Sequence, residues 1–464
     1  MSILEIYPYQ QNITADYNNL MESFINMKYI QNLLVASLFL SSTVIVAQQP
    51  EQVKAQEAKE VVQSITKLMN ENYIFPDVAK DMGDLINKKL SKGKYKTKGS
   101  PYELAEQLTS DLQSVSKDLH IRVIFDPKGV EQHRKQIAEP EMDLPTEYLQ
   151  SMRRSNFGFK QVEILDGNIG YLNLTGFYET EYGGETAVAA MNMLSNTDAL
   201  IIDLRKNGGG SPTMIQLISS YLFESEPVHL NNFYWRPSDK HTQTWTLPHV
   251  SGHRRPNRDV YVLTSKQTFS AAEEFSYNLQ NLERAILIGE TTGGGAHPGG
   301  TLVASDRFLV GVPQGRAINP ITKTNWEGIG VKPDIESKAE NALTLGIRKA
   351  LDKLSEQNSD KTGDYYRWHL ATIKAKINPV TVGENTLKSY AGQYGPRNLI
   401  IEDGELFYQR DGRPKYLLQA LNNELFVLAD DSGFRLKIIK KDGEIFALQG
   451  LYENGSSDQN MREK

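Results

Sequence analysis

A chain of 464 residues exceeds the roughly 250–300 residues at which a single hydrophobic core stops growing, so two or three packed units are expected. Lys plus Arg number 51 against 57 Asp plus Glu, a net charge of -6 with no long basic stripe, which argues against nucleic acid as a partner. With no cysteine at all, thiol nucleophiles, disulfides, cysteine-ligated zinc and iron–sulfur clusters are excluded, leaving hydroxyl, imidazole, carboxylate and amine groups for chemistry.

Met27-Lys28-Tyr29 opens a basic start, LLVASLFL an apolar run and STVIVAQQ a small-residue zone. These are the three parts of a secretory signal peptide, assigned to residues 27–47 with cleavage after Ala47. Ser37, Ser41, Ser42 and Thr43 interrupt the apolar stretch, which is shorter than the ~20 residues of a spanning helix. An exported protein, periplasmic or secreted, with no stable membrane span after cleavage is expected; an uncleaved anchor is the alternative. Residues 1–26 are polar and read as an extension upstream of the true start.

Residues 48–125 are expected to form a helical N-terminal domain, because VVQSITKLMNENY, DMGDLINKKL and SPYELAEQLTSDLQSV space their apolar residues by three and four. Ser100-Pro101 marks the start of the third helix. Polar, proline-containing residues 126–150 read as a connection. From Gly167 short apolar runs alternate with amphipathic stretches: IGYLNL, ETAVAAMNML, ALIIDLR, TMIQLISSYLF, DVYVLTS, AAEEFSYNLQ, AILIGE. That alternation predicts an α/β unit at 126–345 with a mostly parallel sheet and crossover helices. A charged helical connector is expected at 346–380. A small β domain is expected at 381–464, with hairpins turned by Asp403-Gly404, Asp411-Gly412 and Asp442-Gly443.

Chemistry concentrates at the carboxyl ends of such strands. NGGGSP, KQTFS and TTGGGAHPGG follow three of the predicted strands. Ser270 lies past one strand and at the start of a helix, where its hydroxyl is exposed and the Ala271 amide faces a developing oxyanion. An ordinary helix cap is the plain alternative. Gly208, Gly209 and Gly210 let the backbone approach a substrate, and the Gly209 amide is a candidate second donor. A phosphate loop is disfavoured, since neither nucleotide-binding glycine pattern is present. No metal or cofactor is expected, because H-E-x-x-H and related ligand spacings are missing.

The ordered blocks DLHIRV, IGYLNLTGF, IIDLRKNGGG, TFSAAEEF, IGETTGGG and EGIGVKPDI resemble the tail-specific, or carboxy-terminal processing, serine peptidases, including the tricorn core and the interphotoreceptor retinoid-binding protein modules. The resemblance runs from Val61 to Ile335 and implies a ββα-spiral core, like that of crotonases and Clp proteases, with Ser270 as nucleophile. A branch with a Ser–Lys dyad would place its lysine where Gly295 stands. The tricorn-like branch instead implies His120 as base and Glu327 as third group, with Leu119 replacing the serine that precedes that histidine. His297 is a competing base or a residue of the substrate cleft, and Lys266 offers a poor substitute for the dyad lysine.

Only residues 126–155 separate helical part and core, too few for the roughly ninety-residue peptide-tethering PDZ module of some relatives. The expectation is therefore an exported serine peptidase acting on peptide or protein substrates through an acyl-enzyme. The alternatives are a non-catalytic binder of hydrophobic small molecules or peptides, or an esterase using the same serine. Oligomeric state is not readable from the sequence.

Overall fold

Apolar residues recur at helical spacing along α1 (Ala55–Asn72), which buries Ala58, Val61, Val62, Ile65 and Met69 on one face. The computed structural model describes residues 52–95, 99–139 and 144–463; the expected signal peptide at 27–47 and the extension at 1–26 lie outside the described residues. Helix α2 (Pro76–Ser91) starts on its proline. Helix α3 (Pro101–Ser116) is capped by Ser100, which accepts from the Tyr102 amide while Glu103 accepts from the Ser100 amide, an arrangement worth about 1 kcal/mol. It ends at Lys117 in a left-handed conformation, φ 60°, from which Asp118-Leu119-His120 leads to strand β1 (Val123–Phe125).

Residues 126–150 are more than a connection. Asp126 accepts the Gly129 amide at 2.9 Å and Pro127 takes the first turn of α4 (Pro127–Ala138), and α5 (Thr146–Arg154) follows, burying Met152. The core then runs β2 (Phe159–Leu165), β3 (Ile169–Leu174), α6 (Thr180–Met193), β4 (Ala199–Asp203), α7 (Pro212–Ser220), β5 (His229–Trp235), β6 (Lys240–Trp245), β7 (Asp259–Thr264), α8 (Ala271–Asn281), β8 (Ile286–Gly289), β9 (Gly299–Val303), β10 (Phe308–Pro313), β11 (Gly315–Ile318) and β12 (Ile335–Glu336).

The main sheet has the order β12-β8-β7-β4-β3-β2, parallel throughout except for the β2–β3 hairpin. Strand β4 is buried at every position because both faces are covered. Leu200 and Ile202 pack among residues of α6, α7 and α8; Ala199 and Ile201 face α9 (Ala339–Gln357) and α10 (Lys361–Ile377). The segment expected as a charged connector thus roofs one side of the sheet with its apolar stripe.

Two smaller sheets adjoin, β1-β10-β9 and β11-β5-β6. The first shares a core with the N-terminal helices: Val61, Ile65 and Leu108 pack in one cluster with Val123, Phe308 and Val310. This shared core fixes where the turn before β1, and hence His120, meets the main sheet. Residues 392–461 form eight antiparallel strands in sequential order. The Glu463 amide donates to Gln393 O at 2.9 Å, drawing the end of the series to its start like a barrel. Asp403-Gly404 and Asp442-Gly443 both have positive φ at both residues, as two-residue hairpin turns require. Among the described residues no helix is long and apolar enough to cross a membrane.

Candidate active site

Strands β4, β7 and β8 are neighbours, with Asp203 opposite Leu263 and Thr264 opposite Gly289, so the chain leaves the sheet at three adjacent points. NGGGSP, KQTFS and TTGGGAHPGG are therefore gathered at one edge, as the strand pattern predicts. Ser270 has φ 55° and ψ -121°, backbone values that cost a non-glycine residue about 1–3 kcal/mol and turn its side chain out of the helix axis. Gly209, at φ 106°, lies against this turn: a Cβ there would sit 2.8 Å from Ser270 Cβ and 2.9 Å from Ala271 N. Only glycine fits.

Across the cleft, His120 Nε2 lies 3.0 Å from Ser270 Oγ, a contact between residues 150 positions apart. The imidazole rests on the Phe269 ring, centroids 4.6 Å apart. Its backbone amide donates to Asp118 Oδ1 at 3.0 Å, but Nδ1 stands 3.5 Å from the same oxygen and has no hydrogen-bond partner. A Cβ at Gly295 would fall 2.6 Å from His120 Cε1 and 2.3 Å from Phe269 Cζ. The place where a dyad lysine would begin is filled by the histidine and its supporting ring. Lys266 is exposed.

Glu327, expected as the third group, lies beside His297 and not beside His120. Trp326 Nε1 donates to Gly295 O at 2.8 Å and the Gly328 amide to Gly294 O at 2.9 Å, which anchors this turn behind the third loop. Glu327 Oε2 there accepts the Ala296 amide at 2.5 Å and lies 3.4 Å from His297 Nδ1. The carboxylate beside His120 is Asp118, fully buried, which also meets His297 Nδ1 at 2.9 Å and the Tyr73 hydroxyl at 3.3 Å. Burial alone would raise the Asp118 carboxyl, but hydrogen bonds and charge from the two imidazoles outweigh it and hold it at about 2. Burial, reinforced by Asp118, raises that of Glu327. His297 thus stands behind Asp118, while His120 is the histidine that touches the serine.

The Gly209 amide is likewise not an open donor in this conformation: it donates to Asn207 Oδ1 at 2.8 Å. The Ala271 amide, first in α8, has no intrahelical acceptor and receives none from elsewhere among the described residues. Gly208 and Gly210 are exposed on the same turn. Asp118, His297 and Glu327 are the group whose ligand atoms, within 4.8 Å of one another, could hold a cation; here they bond to one another and to Ala296.

Residues 168–337 match the model of peptidase family S41, and residues 52–166 match that of the N-terminal domain of S41 peptidases in eukaryotic interphotoreceptor retinoid-binding protein. The chain belongs to the S41 peptidase family. It is similar to a Bacteroides fragilis protein assigned to the S41 proteases, at 23% identity and TM-score 0.36 over 40% of this chain, and it spans about half, 52%, of that protein's chain. A Parabacteroides merdae protein assigned as a peptidase is 20% identical, with TM-score 0.42, over 61% of this chain and 90% of the other. The photosystem II D1 C-terminal processing protease is 14% identical, with TM-score 0.41, over 61% and 94%.

Three site residues of this S41 peptidase were not singled out from the sequence. Asp118 stands two places before His120 in the DLHIRV block, and its acidity was the available signal. Glu273 is three places after Ser270, the spacing of a capping box. Fully buried, its carboxylate accepts the amides of Ser270 at 2.9 Å, Gly294 at 2.7 Å and Gly295 at 2.8 Å, and the Thr292 hydroxyl, tying the Ser270 turn to the third loop. Burial raises its carboxyl and these donors oppose the rise. Asn207 donates to Leu174 O at 2.9 Å and accepts the Phe269 amide at 3.0 Å through its own carbonyl, joining the first two loops. No sequence signal marked it beyond its place before the glycines.

Proposed function

We propose that this chain is an exported serine peptidase that cleaves peptide bonds through an acyl-enzyme, with Ser270 as nucleophile and His120 as general base. The observation that carries the reading is the 3.0 Å contact between Ser270 Oγ and His120 Nε2, on a strained turn before a helix. A serine hydroxyl is a weak nucleophile until a neighbouring base takes its proton. Ser270 Oγ attacks the carbonyl carbon as its proton passes to His120 Nε2. The negative oxygen is met by the Ala271 amide and by the glycine turn, where Gly209 exchanges Asn207 for the substrate. His120 then protonates the leaving amine, and water releases the acyl group by the reverse proton path.

Asp118, with Oδ1 3.5 Å from His120 Nδ1, faces the imidazolium that forms and stabilises its charge, and His297 and Glu327 stand behind that carboxylate. Export rests on the basic, apolar and small-residue zones at 27–47. The test is labelling of the folded protein with a fluorophosphonate. Wild type should react and Ser270→Ala should not, with peptidase activity falling roughly 10⁴-fold or more in the variant. A wild type that stays unlabelled removes the nucleophile from the reading.

A further inference from the structure

The glycine turn that meets Ser270 on one side forms, on another, a wall of a cavity of about 580 Å³. Facing it are Tyr148 and Met152 from α5, Phe177 and Tyr178 from the stretch between β3 and α6, and Tyr182 from α6, with the Glu179 carboxylate at the rim. Phe177 is fixed in place: its amide donates to Gly209 O at 2.8 Å, and its ring packs on Phe275 of α8, centroids 5.5 Å apart. Glu179 is held by the hydroxyls of Ser211 at 2.7 Å and Thr213 at 3.1 Å. The cavity is thus aromatic and apolar within, carries one negative charge at its edge, and is continuous with the backbone on which an oxyanion would sit.

We propose that this cavity receives the side chain of the residue whose carbonyl is attacked, and that it selects bulky apolar or aromatic side chains, with α5 as the element that sets the selection. The inference rests on Ser270 being the nucleophile. A carbonyl oxygen directed at the Ala271 amide and the glycine turn brings its own Cα beside that turn, and therefore places the side chain in this space. The volume suits an aromatic ring together with flanking backbone, within the few-hundred-Å³ range of specific pockets. Glu179 repels acidic side chains. The helix that contributes Tyr148 and Met152 lies in the short segment between helical part and core, so it supplies recognition at the place where relatives with a tethering module carry their insertion.

The experiment compares diphenyl phosphonates whose side chain is benzyl, methyl, carboxyethyl or aminobutyl. In each, Ser270 Oγ displaces phenoxide from phosphorus, forming the Ser–O–P bond as its proton passes to His120. The benzyl compound should label about 10- to 100-fold faster than the methyl compound, and the carboxyethyl compound slowest. Tyr148 is 52% exposed, so Tyr148→Ala should fold normally. It should cut the benzyl-to-methyl ratio several-fold, the benzyl rate falling more than the methyl rate. Equal benzyl and methyl rates, a preference for the charged side chains, or an unaltered ratio in Tyr148→Ala overturns the pocket while fluorophosphonate labelling leaves the nucleophile standing. Loss of fluorophosphonate labelling overturns both.

Discussion

The two halves of the site are held very differently. On the Ser270 side the loops are tied to one another: Glu273 accepts the Ser270, Gly294 and Gly295 amides, Gly209 lies against the turn where a Cβ would clash, and Asn207 joins the first loop to Phe269. On the His120 side the ring touches Ser270 at 3.0 Å and leans on Phe269, yet Nδ1 remains 3.5 Å from Asp118 and unpartnered. The first half is built from adjacent strands of one sheet. The second is delivered by a different core, that of the N-terminal helices and the small sheet, so its precision depends on how the two cores meet. Bases in unliganded sites commonly tighten only when substrate arrives.

Replacing the loose half should have the larger effect on chemistry. His120→Ala should lower kcat roughly 10³- to 10⁴-fold with KM little changed, read from progress curves on a fluorogenic peptide. A fall below tenfold would shift the base to His297 and undo the comparison. Asp118→Asn should cost roughly 10²- to 10³-fold, because the long Nδ1 contact orients the imidazole less tightly than a full hydrogen bond. His297→Ala, one contact further away, should cost about tenfold or less; equal losses for these two would make His120, Asp118 and His297 a single unit. The Asp118 carboxyl is depressed to about 2. Its stabilisation is therefore complete above the unfolded value near ~3.9 and is lost as pH falls through about 2.

Replacing the tight half should show in stability. Glu273→Gln weakens the acceptor of buried amides and turns donors toward donors, at a cost of about 2–4 kcal/mol by urea unfolding at pH 7. A change below ~0.5 kcal/mol would mean the loops hold without it. The smallest effect belongs to the adjacent Glu274, buried but with Oε1 unpartnered. Burial pushes its carboxyl to about 7 despite partial relief from Asn231 and Asn278. A raised carboxyl favours the folded state at low pH and loses that advantage as pH rises through about 7. Glu274→Gln should thus raise stability by about 1–3 kcal/mol at pH 8.5 and change little at pH 5. Identical shifts at both pH values would contradict a buried acid that ionises near neutrality.

Much of the fold was legible. Helical spacing marked α1 to α3, the serine cap marked the start of α3, and alternating apolar runs marked the parallel sheet and placed three loops at its edge. The Asp-Gly turns located three of the hairpins in the eight-stranded domain. Residues 126–150 were harder to read, because α4 and α5 each bury a single residue, Val130 and Met152, too little to leave a periodic stripe. Residues 339–377 carried enough charge to suggest a connector, while their apolar side covers the sheet.

By itself the sequence determined which residue types were available for catalysis and the order of the blocks that resemble the S41 peptidases, and it singled out Ser270 and His120, which the structure places in contact. These are properties of composition and local pattern, carried by residues near one another in the chain or by blocks that resemble a known order. Only the tertiary structure decided which carboxylate stands beside His120, that Glu327 faces His297, that the Gly209 amide is taken by Asn207, and that Glu273 gathers three backbone amides. Each of those depends on contacts between loops far apart in the chain, and a hydrogen bond a few ångströms long is set by how two cores pack, which no spacing along the sequence records.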